Sequence, residues 1–121
     1  MTPSMLGWVA LGAAFGAPAR YLTDRAVTRA SIRSVIPLGL LVVNVLGSAL
    51  LGLVVGLENP TLLVLLGTGF CGAFTTFSGF AWESSTLWSE HRERFWAFVA
   101  LMVALCVGAF WVTWTLTTHL R

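Results

Sequence analysis

Charge is what this 121-residue chain has least of. Seven basic and five acidic side chains make up 10% of it, where a soluble domain carries about 25%. That scarcity excludes a water-soluble fold. With 57% hydrophobic residues and a mean hydropathy of +0.85, so short a chain has too much surface per volume to hide its apolar material. Cysteine is also sparse. Cys71 and Cys106 both lie inside apolar stretches, with no spacing that supports a disulfide or a metal pair, and read as small buried hydrophobes. No zinc-ligand, phosphate-loop, dinucleotide or nucleophile-elbow motif occurs, so the chain is not expected to be an enzyme. The arginines are spread over segment ends instead of forming a patch, which argues against nucleic acid as a partner.

What fills the chain instead is uninterrupted apolar sequence. No formal charge falls between Ser34 and Leu57, between Asn59 and Trp82, or between Phe95 and Leu120. Each stretch exceeds the roughly 20 residues a helix needs to cross about 30 Å of hydrocarbon. A fourth runs from Met1 to Ala19, and its helix is expected to continue past Arg20 toward Ala26. It lacks the basic leading region of a cleaved signal peptide. A β-barrel would alternate over about 10 residues and not stay apolar for more than 20. The expectation is therefore an all-α membrane protein, residues 1–121 forming one unit of four transmembrane helices. They are placed at about Ser4–Ala26, Ser34–Leu57, Thr61–Trp82 and Phe95–Thr118, with loops over Thr23–Arg33 and Glu83–Arg94 and a tight turn at Glu58–Pro60. Trp8, Trp88, Trp96, Trp111 and Trp114 fit positions near the membrane interfaces.

Arginine placement sets an orientation. Arg20, Arg25, Arg29, Arg33, Arg92 and Arg94 fall on one side and Arg121 alone on the other. The positive-inside rule then puts the first and third loops in the cytoplasm and both termini outside.

The third segment differs from the rest. Its centre reads GTGFCGAFTTFSGF, with Gly67, Gly69 and Gly72 followed by Thr75, Thr76 and Ser78, and Phe70, Phe74, Phe77 and Phe80 interleaved. Such a run predicts a helix broken at bilayer depth, where unwound backbone must be buried in protein or line a polar cavity. Broken helices expose amides and carbonyls that coordinate ions, and Gly72 and Thr75 are the candidate carbonyl donors to a cation. Thr75, Thr76 and Ser78 can equally serve as caps for the break. Asn44, in the middle of the second segment, either bonds a neighbouring helix or offers an amide N–H to a permeating anion. Phe77 and Phe80 fit a packed core, but phenyl edges are positive and can also face an anion. Arg20 either snorkels to the headgroups or gives a vestibule positive potential. No charged residue lies centrally in segments two to four, unlike a proton-coupled pump, so passive anion movement is favoured.

GAAFGAPARY (Gly12–Tyr21), VVNVLGSALLG (Val42–Gly52) and above all GFCGAFTTFSGF (Gly69–Phe80), followed by Glu83, resemble the Fluc family of fluoride channels, also called CrcB. The resemblance covers nearly the whole chain. It implies a passive fluoride exporter built as an antiparallel, dual-topology dimer in the inner membrane, with two pores along the subunit interface. It also implies a structural Na+ at the dimer centre, held by the Gly72 and Thr75 carbonyls of both subunits. Asn44, Phe77, Phe80, Ser78 and Arg20 then match pore or vestibule positions, and Glu83 matches the family's glutamate. The chain departs from the family pattern at Gly79, where a threonine is common, and in helix four, where Thr113 and Thr115 are the nearest polar groups. Its six-to-one arginine bias also departs from a chain that inserts both ways, leaving open a homodimer or a heterodimer with a sibling subunit of opposite bias. The alternatives are a small multidrug-type exporter, which would need a carboxylate within the first helix, and a non-conducting assembly subunit, which would not need the broken helix.

Overall fold

The computed structural model describes residues 2–121; Met1, first residue of the first uncharged stretch, lies outside them. Four antiparallel apolar rods form the bundle. Helix α1 runs from Pro3 to Ala30, starting on a proline whose missing N–H costs nothing there. It carries Pro18 internally and extends four residues beyond the expected Ala26. The segment expected to loop from Thr23 is therefore helical as far as Ala30. Helix α2 spans Leu38–Gly56. It starts later than the expected Ser34 because Pro37 sits at its mouth and biases the preceding residue away from helical backbone. Glu58, with φ of 51°, turns the chain in the left-handed region. The Asn59 side chain then accepts hydrogen bonds from the N–H groups of Thr61 (3.0 Å) and Leu62 (3.1 Å), capping the start of the next rod.

That third rod is composite. It opens as α3 (Pro60–Leu62), widens into π-type turns over Leu63–Cys71, closes with α4 (Gly72–Phe74), breaks at Thr75 and Thr76, and resumes as α5 (Phe77–Glu90). The expected break is present. The resumed helix runs eight residues past the expected end at Trp82, so most of the predicted Glu83–Arg94 loop is helical. One residue, His91, separates α5 from α6 (Arg92–His119).

Packing explains the glycines. A side chain at Gly12 would strike the Leu65 carbonyl, and one at Gly16 the Phe70 carbonyl; Gly69 meets the Val9 carbonyl from the other side. Small residues let α1 and the wide-turned segment touch backbone to backbone, as packing in lipid requires. Gly52 does the same for α2 against Phe110 and Thr113 of α6, where the Thr113 hydroxyl donates to the Ala49 carbonyl at 2.7 Å. A core of Leu41, Leu87, Phe98 and Met102 joins α2, α5 and α6.

The second rod, the composite third (Pro60–Glu90) and α6 are each long and apolar enough to cross a membrane. Only 11% of the apolar window of α6 is buried within the chain, so its outer faces are available to lipid or to another subunit. Trp88, Phe95 and Trp96 stack edge to face at the α5–α6 corner, with Arg92 over Trp88 at 4.5 Å. That is a grouping suited to the headgroup level.

Candidate functional site

The break is held open by side chains that take the place of backbone partners. Thr75 ends α4 with extended backbone (ψ 163°). In a continuous helix the Thr76 N–H would donate to the Gly72 carbonyl; here it donates to Oδ1 of Asn44 at 2.8 Å. The Gly79 N–H would likewise donate to the Thr75 carbonyl, and instead donates to Oγ1 of Thr76 at 3.1 Å. The carbonyls of Gly72 and Thr75 thus both lose their helical donors to a side chain. Those are the two oxygens marked as cation ligands, and neutral oxygen donors are what a hard cation prefers. No residue at the break adds a charge.

Asn44 is 8% exposed and clasps Thr76 from both sides, since its Nδ2 also donates to the Thr76 carbonyl at 3.2 Å. The same nitrogen faces Sδ of Met102 at 3.6 Å. The inter-helix bond is therefore the role the geometry gives Asn44, with its second N–H left on a weak sulfur acceptor.

Two clefts meet at this point. The inner one, about 490 Å³, is lined by Asn44, Gly72, Thr75, Phe77, Phe80, Met102 and Cys106 among others, and every lining residue is neutral. Phe77 is 80% exposed. Its ring lies 5.9 Å from that of Phe80, which in turn packs on Phe98 at 5.6 Å. The outer cleft, about 1140 Å³, opens at the arginine-rich end and is lined by Arg20, Ser78, Gly79, Glu83 and Arg94 with Asp24, Glu90 and His91. Its two guanidinium groups face three carboxylates, so the charge of Arg20 is not unopposed. Among the described residues only Thr76 lines both clefts, and its hydroxyl lies 3.2 Å from that of Ser78.

The structure therefore divides the sequence-marked residues. Asn44, Phe77, Phe80, Gly72 and Thr75 share the inner cleft; Arg20, Ser78 and Glu83 share the outer. Gly79 sits where a Cβ would come within 2.9 Å of Leu40 and 3.1 Å of the Thr76 methyl, so its lack of a side chain lets α5 seat closely. Thr113 and Thr115 turn their hydroxyls to carbonyls of α2 and α6 and line neither cleft. The residues that sequence reasoning missed are Met102 and Cys106. With Phe98 they recur every four residues on one face of α6, a spacing visible in the sequence, though nothing there says which face turns inward.

Residues 7–115 match the family described as CrcB-like protein, Camphor Resistance (CrcB). The chain is 49% identical over 111 residues to Fluoride-specific ion channel FluC 1 of Nocardia farcinica, covering 90% of this chain and 78% of that one. It is 46% identical over 111 residues to FluC 1 of Geobacillus kaustophilus (88% and 90% covered). It is 44% identical over 108 residues to FluC of Thermosipho melanesiensis (84% and 85% covered).

Proposed function

The chain belongs to the CrcB family, and on that premise we propose that it is a subunit of a passive, fluoride-selective channel of the inner membrane. It is a multi-pass membrane protein and a channel component, not an enzyme. The observation that carries the reading is the junction at Thr76, where a neutral, ring-lined cleft meets a charged cleft at the arginine-rich end.

Fluoride is small and holds its water strongly, so a path for it must supply donors as water is shed. In this reading Arg20 draws the anion into the outer cleft, and the Thr76 and Ser78 hydroxyls replace its first waters. The Asn44 N–H that faces Met102 and the positive ring edges of Phe77 and Phe80 carry it through the inner cleft. None of these inner groups bears a full charge, so the anion is not trapped, as conduction demands.

The working unit in this reading is an antiparallel pair. Phe77 is mostly exposed although it belongs to the inner cleft, and a second subunit would complete the wall around it. The Gly72 and Thr75 carbonyls, deprived of helical donors, would hold a structural Na+ between the two subunits. When bound, that ion supplies a positive charge near the anion path. The identity of the partner follows from charge. Arg121, the lone arginine at its end, is already paired with Glu58 at 3.0 Å, which leaves the six arginines at the other end to set one orientation. This favours a sibling subunit of opposite bias over a second copy.

Fluoride efflux from liposomes containing the purified chain, read with a fluoride electrode against a chloride control, tests the function. Fluoride-selective efflux from the chain alone would establish a homodimeric channel and overturn the heterodimer. Efflux only on adding an oppositely biased family member would support it. Silence in both cases, from folded and incorporated protein, would reject the channel reading.

A further inference from the structure

The inner cleft contains more sulfur than an anion path requires. Sγ of Cys106 lies 3.8 Å from Sδ of Met102, one turn apart on α6, and Cys71 lines the same cleft from the third rod. We propose that Cys106 and Met102 form a binding site for a soft monovalent cation of the Ag+ or Cu+ class, seated beside Asn44 on the anion path. The proposal rests on the channel reading only for its consequence, which is block of conduction.

Three properties point to this ligand class. Thiolate and thioether sulfur select soft ions over hard ones. A single ion roughly 2.3 Å from each sulfur, the length of a zinc–thiolate bond, would span the 3.8 Å gap at an angle of roughly 110°, and the longer bonds of a larger soft ion would narrow that angle while leaving room for a third ligand. Charge then selects a monovalent ion. On binding, the Cys106 S–H bond breaks, a sulfur–metal bond forms and the proton leaves to water, with no change of oxidation state. The product is neutral. A divalent ion would leave an uncompensated charge at membrane depth, which is costly. No lining residue carries a charge that would repel an incoming cation.

The test uses silver nitrate in chloride-free buffer. Purified protein is titrated while silver–thiolate ultraviolet absorbance and proton release are followed, and fluoride efflux is measured with and without silver. The wild type is expected to bind silver with proton release and to lose at least about nine-tenths of its efflux. C106S and C106A should lose the Cys106 signal and the block. M102L, which keeps the volume but not the sulfur, should weaken binding about tenfold, and C71S should keep both signal and block. Each variant is scored by its treated-to-untreated efflux ratio, so a change in basal rate does not blur the result. Silver binding that persists in C106S and C106A but vanishes in C71S would overturn the site, as would a wild type that binds none. Silver binding through Cys106 in a protein that moves no fluoride, either alone or with an oppositely biased family member, would uphold the site and sink the channel reading instead.

Discussion

The two clefts that meet at Thr76 are built on opposite principles. The outer one places formal charges of both signs around Arg20, in contact with water. The inner one contains no charge and relies on an amide, hydroxyls, ring edges and sulfur. Water screens the first, so its charges tune how often an anion arrives. The second has no formal charge for salt to screen, so its effect rests on neutral donors that touch the anion. The expectation is therefore that inner-cleft substitutions act strongly and independently of salt, while outer-cleft substitutions act weakly and depend on it.

The strongest blow to this contrast should come from Asn44→Leu. It strips the partly buried Thr76 of both partners, and polar groups left unpaired cost up to about 1–3 kcal/mol each. Thermal unfolding in detergent should register about 2–4 kcal/mol, and efflux should fall about a hundredfold, as a barrier rise near 3 kcal/mol implies. An Asn44→Leu channel with unaltered efflux would show that the break does not depend on the clasp. Phe80→Leu comes next, removing a ring edge but little volume. An aromatic pair is worth about 0.5–1.5 kcal/mol, so efflux should drop up to about tenfold, equally at low and high ionic strength. In the outer cleft, Arg20→Gln should slow efflux a few-fold at 10 mM salt and much less at 150 mM, since the screening length shrinks from about 30 to about 8 Å. A salt-independent Arg20→Gln defect would mean that Arg20 touches the anion and does not merely attract it. Glu58→Gln should be smallest. It breaks an exposed ion pair with Arg121, worth at most about 1 kcal/mol, and efflux should be unchanged when unfolding is measured alongside.

Much of the fold could be read from the sequence because membrane helices announce themselves by length and lack of charge. The four rods follow from that, and the break after Gly72 from the glycines and hydroxyls crowded into the third. The ends did not follow. Helix α1 runs to Ala30 and α5 to Glu90, since arginine and glutamate stop an apolar run without stopping a helix; both are good helix formers. At the site, residue types marked Asn44, Phe77, Phe80, Gly72 and Thr75, and they do share one cleft. The sequence could not reveal that Asn44 spends its amide on Thr76, because that bond spans 32 residues. Nor could it reveal the sulfur wall, because α6 is apolar all round and no periodicity marks its inner face.

The wide turns over Leu63–Cys71 carry a last consequence, for the tolerance of this chain to changes in length. A π-type turn holds more residues than an α-turn, so the segment acts as slack taken up between α1 and the break. Each residue of an α-helix advances the chain by about 100°. Removing one residue between 63 and 71 would swing Thr76 away from the amide of Asn44 unless the segment rewound into ordinary turns and took up the loss. The same deletion placed in the exposed middle of α6, near Gly108, where a Cβ would meet no neighbour within 4 Å, would disturb only the packing beyond it. Parallel single-residue deletions, compared by fluoride efflux, would show whether the third rod is the one whose exact count matters; equal losses from both would refute it.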